Sequence, residues 1–382
     1  MGRRAAGEGS IHQRSRDGKW CAILDLGYVK GKRVRRTRTA DTQEEAARLL
    51  HQLRNEFDRG ATSIDRRTPL KAWCQEWLTA DVEYQASVGQ LRQSTAESYE
   101  RLVRCHVVPH LGHIKLFDLD ARTIQRAYQA MLGELAPSSV RKVHQVLRSM
   151  LGAAVRDGIL VVNPCDRATP PAVPRNEVEP LTLEDVKRIL AATEDTRDHA
   201  LWSVMAYCGL RLGEALALRK TDVHPGMRTL RVERTLGQHA SGLRFGPPKS
   251  NKGRRTVPLV DDVVAALHRH RILVAERRLA AKRWDEDCDA LFPSEVGTWQ
   301  YPRNVQRRFR RLRQDLGLPE EVRPHTLRHT YASLLFEAGV ELAVVQELLG
   351  HADLATTRDT YIHLTDQVKS RAGEQLQARL SR

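Results

Sequence analysis

Five prolines fall between Asn163 and Pro180 in the stretch "NPCDRATPPAVPRNEVEPLT", and no other feature restricts this 382-residue chain as much. Each proline fixes φ at about −65° and removes a backbone donor, so neither a helix nor a central strand runs through such a density. The core of the stretch, 169–180, is therefore expected to be a linker, and the segments on either side must each build a core. Two or three domains are the expectation for a chain of this length in any case.

On the N-terminal side of the linker, residues 67–168 read as an all-α domain of four or five helices. "PLKAWCQEWLTADVEY", "QSTAESYERLVRCHVVPHLG", "DLDARTIQRAYQAMLGEL" and "APSSVRKVHQVLRSMLGAAVRDG" each carry apolar residues at three-to-four spacing, with Ser94, Asp120 and Ser138 as candidate caps. Residues 1–66 read differently. "KWCAILDLG" and "RVRRTRT" are strand-like around a glycine-containing turn, and a helix follows from Asp41 or Thr42 as N-cap. Beyond the linker, 181–382 is mostly helical, interrupted by strand patterns at "MRTLRVERT" and "RRTVPLV" joined through "PPKSNKG". The fold class is thus multidomain and mainly α: a small N-terminal three-stranded sheet plus helix, a helical domain, and an α+β, mostly helical C-terminal domain.

Charge points to the partner. The net charge is +15, with eleven Lys/Arg against three Asp/Glu in 1–40, and six arginines without an acid from Pro302 to Gln314. Such blocks suit a polyanion, because neutralising phosphates releases counterions, so nucleic acid is the expected partner. A sheet face of the basic N-terminal module could enter a DNA major groove. The six cysteines are scattered with no C-x-x-C, which implies a reducing compartment and suggests no zinc site. No apolar run approaches the ~18 residues of a membrane helix, and the N-terminus lacks a signal-like apolar core, so a soluble, cytoplasmic protein is expected.

The chemistry concentrates near "PHTLRHT", Pro324 to Thr330. At about 100° per residue, His325, Arg328, His329 and Ala332 share one side of a helix, and Leu327, Tyr331, Leu334, Leu335 and Ala338 the other. Both histidines and Arg328 are therefore expected to face away from the core. Three readings compete: a metal site, a phosphate site, or solvated surface side chains. A hydrolytic zinc helix places Glu directly after the first histidine, where this chain has Thr326, and no D-x-D cluster offers magnesium ligands. A phosphate needs a planar, permanently charged fork beside a proton donor, and Arg328 with His325 supplies both.

A second fork lies upstream. In "CGLRLGEALALRKTDV", Arg211 follows a glycine break, and Glu214, three residues on, is placed to orient its guanidinium. Lys249 and Lys252 lie in the turn between the two strand patterns. Downstream, "LLGHADLATTRDTYIHL" has His351 after a glycine helix stop and Tyr361 ten residues later, off any apolar period.

The ordered set Arg211, Lys249, His325 with Arg328, His351 and Tyr361 resembles the tyrosine recombinases, specifically the integrases of phages and integrative elements. The resemblance is close in "GLRLGEALAL" and in "HTLRHTYASLLFEAGVELAVVQELLGHADLATTRDTYIHL", and the three-part layout is similar to that of the larger integrases. It implies an arm-type DNA-binding domain at 1–66, a core-binding domain at 67–168 and a catalytic domain at 181–382. It implies that Tyr361 is the nucleophile attacking a DNA phosphodiester, and that Arg211 and Arg328 clamp the non-bridging oxygens. Lys249, with Lys252 as the alternative, would protonate the departing 5′ oxygen; His325 would move the tyrosine proton and His351 would hydrogen-bond the phosphate. Glu214 would support Arg211, while His329 and His363 match positions commonly held by histidine without a catalytic role.

Site-specific integration or excision of a mobile element through a 3′-phosphotyrosyl intermediate follows from the resemblance, with no metal or ATP. The implied partners are duplex attachment sites, further copies of the chain in a synaptic tetramer, and DNA-bending or excision accessory proteins. A type IB topoisomerase or telomere resolvase would use the same chemistry, and a non-catalytic DNA-binding regulator would need only the basic patches. The tail "DQVKSRAGEQLQARLSR" reads as an amphipathic helix that docks either on a neighbouring subunit or on its own domain.

Overall fold

The structure, a computed structural model, describes residues 9–29, 32–58, 67–173, 179–224, 226, 228–239, 241–248 and 251–350. Lys249, His351, Tyr361, His363 and the tail helix expected over 366–382 lie outside the described residues. The chain divides into two compact units, Met1–Pro174 and Arg175–Arg382, and the division falls inside the proline-rich stretch.

The N-terminal sheet is antiparallel in the order β1 (Gly9–Gln13), β2 (Trp20–Val29), β3 (Lys32–Ala40). Helix α1 (Gln43–Asp58) follows, started by Thr42, whose hydroxyl accepts from Glu45 N at 3.2 Å. Ala22, Leu24 and Ala40 meet Ala46 and Leu53 of α1 in a small core. Pairing decides which way the basic side chains point. Arg36 lies opposite Leu24 and Arg38 opposite Ala22, so both share the helix-covered face, where Arg38 reaches Gln52. Thr37 and Thr39, opposite Ile23 and Cys21, take the other face and are exposed.

Four continuous helical runs form the rest of the first unit. α2 (Leu70–Trp77) joins α3 (Tyr84–Ser87) through a π-helical stretch, and α4 (Gln93–Leu102) joins α5 (Val108–Leu111) the same way. α6 (Ala121–Leu132) and α7 (Pro137–Arg156) complete it. Asp120 caps α6 by accepting from Thr123 N at 2.7 Å. Ser94 and Ser138 are not caps: α4 and α7 begin one residue before each, and α7 starts on Pro137, whose fixed φ already suits the first helical position. The apolar stripes close around Trp73, Ile124, Met131, Leu147 and Met150.

In the second unit α8 (Leu183–Ala191) and α9 (His199–Cys208) lead into the short α10 (Leu212–Leu216). Strands β4 (Val223–His224), β5 (Thr229–Val232) and β8 (Arg255–Pro258) form one antiparallel sheet in that order, and β6 (Thr235–His239) with β7 (Gly242–Gly246) makes a hairpin between β5 and β8. Apart from Thr235, that hairpin lies ahead of "PPKSNKG" in residues given no strand by the sequence reading. Helices α11 (Asp261–Ala280), α12 (Pro302–Asp315), α13 (Pro324–Glu337) and α14 (Leu342–Leu349) follow. α9, buried over nearly its whole length, is the axis against which α8, α10, α11 and α13 pack. Among the described residues no helix is long and apolar enough to cross a membrane.

Candidate active site

The site begins where α9 stops. Gly209 closes that helix in the left-handed region at φ 64°, and a Cβ there would lie 2.3 Å from Tyr331 Cδ1, so only glycine lets α9 and α13 approach this closely. Two residues on, Arg211 sits extended ahead of α10. Glu214, in the first turn, reaches back to accept from Arg211 N at 3.0 Å and Arg211 Nη1 at 2.7 Å. The pairing expected from their spacing is therefore present, and it uses both backbone and side chain.

Glu214 serves more than Arg211. Its carboxylate, 1% exposed, also accepts from Arg255 Nη2 at 3.1 Å and lies 3.8 Å from Arg328 Nη1. Burial pushes the Glu214 carboxyl up, but Arg255, Arg328 and Arg211 outweigh it and hold the group below its ordinary value. Three guanidiniums around one carboxylate leave two positive charges uncompensated by that carboxylate. A cluster with that excess attracts an anion.

Arg328 does not face away from the core. Its side chain is 2% exposed, Nη1 donates to Gly209 O at 2.7 Å and Nη2 to Leu349 O at 2.5 Å. Ala332 is buried as well, whereas Leu334 and Leu335 are half-buried and Ala338 is exposed. Over its first turns α13 is thus buried on both sides: Leu327 and Tyr331 lie inside as expected, and Arg328 and Ala332 lie inside as well. Polarity alone misplaces Arg328, because an arginine can be buried when acceptors and a counter-charge meet it, and here Gly209 O and Leu349 O accept from it and Glu214 lies 3.8 Å away.

His325 does reach the surface, and its ring meets His329 edge-on with centroids 4.7 Å apart. Protein crowded around its base displaces hydration, and His329, Arg328 and Arg211 add positive charge, so its pKa falls to about 4 despite the opposing pull of Glu214. His325 is therefore a neutral acceptor at neutral pH. His329, half-buried, is lowered by burial and by Arg328.

Arg255 has no place in the sequence expectations. Its side chain is 4% exposed; besides Glu214, it donates through Nε to Leu348 O at 2.6 Å and through Nη1 to Gly253 O at 3.1 Å. The available signal was alternation: in β8, Arg255 and Val257 point inward while Thr256 and Pro258 point out. Lys252 lies exposed in the turn just before, Asn251–Gly253. Gly350, at φ 65°, ends α14 against this turn, and a Cβ there would lie 2.8 Å from Lys252 O. The turn that begins two residues after Lys249 and the glycine before His351 thus come together at the cluster, although those two side chains are outside the described set.

The six arginines of α12 separate into two groups. Arg308 is bound by Asp198 at 2.6 and 2.9 Å, and Arg313 donates to Glu320 O, so these two are structural ties. Arg303, Arg307, Arg310 and Arg311 are exposed, opposite the buried Val305 and Phe309. Among the described residues no group of three or more His, Cys, Asp or Glu side chains could hold a metal ion.

Comparison with known proteins gives a consistent family. Residues 179–368 match the phage integrase family, and residues 70–132 match the phage integrase N-terminal SAM-like domain. An integrase of Streptomyces ambofaciens is 30% identical over 374 residues, covering 94% of this chain and 93% of that protein. A XerC-like tyrosine recombinase of Caldanaerobacter subterraneus subsp. tengcongensis is 27% identical, covering 91% and 92%. Among solved structures, the Tn1549 transposon integrase in complex with a circular intermediate DNA superposes with a TM-score of 0.67 at 22% identity, covering 80% of this chain and 99% of that one. A lambda integrase dimer bound to a COC′ core site gives 0.59 at 17% identity, covering 94% and 96%.

Proposed function

The chain belongs to the phage integrase family of tyrosine recombinases and is a site-specific DNA recombinase, and on that premise we propose how its own residues cut and rejoin a strand. The carrying observation is the buried Glu214 gathering Arg211, Arg255 and Arg328, with His325 at its edge.

In this reading a DNA phosphodiester docks on the excess positive charge. Arg211, whose side chain is 26% exposed, meets a non-bridging oxygen directly, and Arg328 completes the clamp from beneath. The Tyr361 hydroxyl attacks phosphorus and gives its proton to neutral His325. The P–O5′ bond breaks, leaving a 3′-phosphotyrosyl link, and the departing 5′ oxygen takes a proton from Lys249 or from Lys252. His351 hydrogen-bonds the phosphate. Because the phosphotyrosyl bond conserves the energy of the phosphodiester, attack by another strand's 5′-hydroxyl reseals it without ATP, and two guanidiniums supply the charge stabilisation a metal would otherwise give.

The other segments take roles around that centre: 1–66 as an arm-type DNA-binding module, 67–168 as a core-binding domain, 169–180 as the linker and 181–382 as the catalytic domain. The exposed arginines of α12 contact phosphates. The lambda integrase is known as a tetramer bound to a Holliday junction; a tetramer on paired attachment sites, integrating or excising a mobile element in the cytoplasm with DNA-bending helpers, fits this chain. The test is a nicked suicide duplex carrying candidate attachment sites, resolved by denaturing electrophoresis. A covalent protein–DNA adduct is expected in EDTA and is expected to vanish in Tyr361→Phe; an adduct that requires Mg²⁺ overturns the reading.

A further inference from the structure

Arg255 is an expensive residue to bury. An ion pair inside a protein is often no more stabilising than well-packed apolar side chains of the same volume, so its presence calls for something that packing alone does not supply. What it supplies is a junction. Its three nitrogens each find an acceptor on a different segment: Glu214 Oε2 of α10 at 3.1 Å, Gly253 O of the lysine-bearing turn at 3.1 Å, and Leu348 O of α14 at 2.6 Å. The last carbonyls of α14 carry the negative end of that helix, and two arginines donate to them, Arg255 to Leu348 O and Arg328 to Leu349 O. Gly350 then passes so close to Lys252 O, Gly253 Cα and Arg255 Nη1 that a Cβ would stand 2.8, 3.1 and 3.2 Å from them.

We propose that Arg255 is a positioning residue for strand cleavage: it ties the buried Glu214 to the end of α14 and to the turn after Lys249, and so sets how the segments carrying His351 and the general-acid lysine approach the phosphate. The proposal rests on the reaction described above. Arg255 touches neither DNA nor the reacting atoms; it acts through Glu214 and through two backbone segments. A guanidinium is required because a lysine ammonium is a single point and does not span three acceptors in a fixed plane.

The test uses the full chain in single-turnover cleavage of nicked suicide duplexes, with DNA affinity measured separately in the Tyr361→Phe background. Arg255→Lys is expected to slow adduct formation by roughly 10- to 100-fold and Arg255→Met by more, the scale of a misplacement of about 1 Å. The fraction of protein that reacts and the affinity for DNA are expected to stay within about twofold, and Arg254→Ala, an exposed neighbour, within about threefold in rate. The charged groups around Glu214 are Arg211, Arg255, Arg328 and, at the rim, His325. Arg255, 3.1 Å from the carboxylate, contributes most among the cations to holding Glu214 ionised, so the acid limb of the pH–rate profile moves to higher pH in Arg255→Met. Glu214→Gln with Arg255→Met is expected to be no slower than the worse single variant.

A purely structural Arg255 predicts the opposite: fewer active molecules and lower melting, with the surviving fraction cleaving at the wild-type rate and the acid limb unmoved. That result overturns the proposal, as does an Arg255→Lys rate within about threefold of wild type. If Arg255→Met does not fold, Arg255→Lys decides the matter. Failure of the wild type to form an adduct, or adduct formation by Tyr361→Phe, overturns the reaction itself and the proposal with it; normal wild-type cleavage beside unimpaired Arg255 variants overturns the proposal alone.

Discussion

Replacing Glu214 by Gln keeps the shape of the site and removes one negative charge. Arg211 can swing outward, because about a quarter of its side chain is exposed, but Arg255 and Arg328, at 4% and 2%, have nowhere to go. Stripping the partner from a buried ion pair costs about 3–5 kcal/mol, most of it from the charge left behind. Two trapped guanidiniums place the expected loss in the upper part of that range. For a unit the size of Arg175–Arg382, each kcal/mol moves the midpoint by about 2–4 °C, so a loss of about 4–5 kcal/mol lowers it by about 8–20 °C. Calorimetry of the full chain reads this directly, with the transition of the Met1–Pro174 unit as the internal standard. The variant also loses a pH dependence. Glu214 is held below its ordinary value of 4.5, so its contribution is complete above that pH and disappears as pH falls through the lower folded value. Wild type is therefore expected to lose stability over that acid window while Glu214→Gln stays flatter there. A change below about 1 kcal/mol at neutral pH, or identical acid profiles, refutes the hub assigned to Glu214.

Three further outcomes are expected. The His325 ring should titrate near 4 by histidine-selective NMR; because its folded value lies below 6.5, the native state binds fewer protons than the unfolded chain between those values and stability rises with pH across that window, so a midpoint above about 6 contradicts the crowding described. Gly209→Ala should destabilise the second unit by about 2–5 kcal/mol in urea unfolding, since it combines a left-handed backbone with a clash into Tyr331, whereas Gly317→Ala, also left-handed but in open space, should cost only the backbone part. Replacing Arg303, Arg307 and Arg310 together by Ala should flatten the dependence of log affinity on log salt by about 1 for each phosphate no longer neutralised, measured in the Tyr361→Phe background; an unchanged slope removes α12 from the DNA interface.

Much of this was legible in the chain. The helical runs follow from apolar spacing, and the stops at Gly209 and Gly350 follow from the residue type. The Arg211–Glu214 pair follows from three-residue spacing on a helix start. What the chain conceals depends on partners remote in sequence. Arg328 and Arg255 look like surface arginines until Glu214, Gly209 O, Leu348 O and Leu349 O are seen to receive them. The β6–β7 hairpin hides in "TLGQHASGLRFG", where glycines interrupt the β-forming residues. Six arginines in α12 look alike in sequence, yet Asp198 takes Arg308 for structure. The basic strand β3 turns Arg36 and Arg38 toward α1, a consequence of register that composition alone does not carry.

The bonds that build the cluster join parts of the chain that are synthesised far apart. Arg255 lies 41 residues after Glu214 and 93 before Leu348, and Arg328 reaches back 119 residues to Gly209. A chain leaving the ribosome N-terminus first therefore exposes its sheet module and helical domain long before these contacts exist. An enzyme that cuts DNA strands is dangerous when half made. Here the Glu214 cluster is complete only after α14 has emerged, so an unfinished or truncated chain lacks the bonds that hold Arg255 and Arg328 in place.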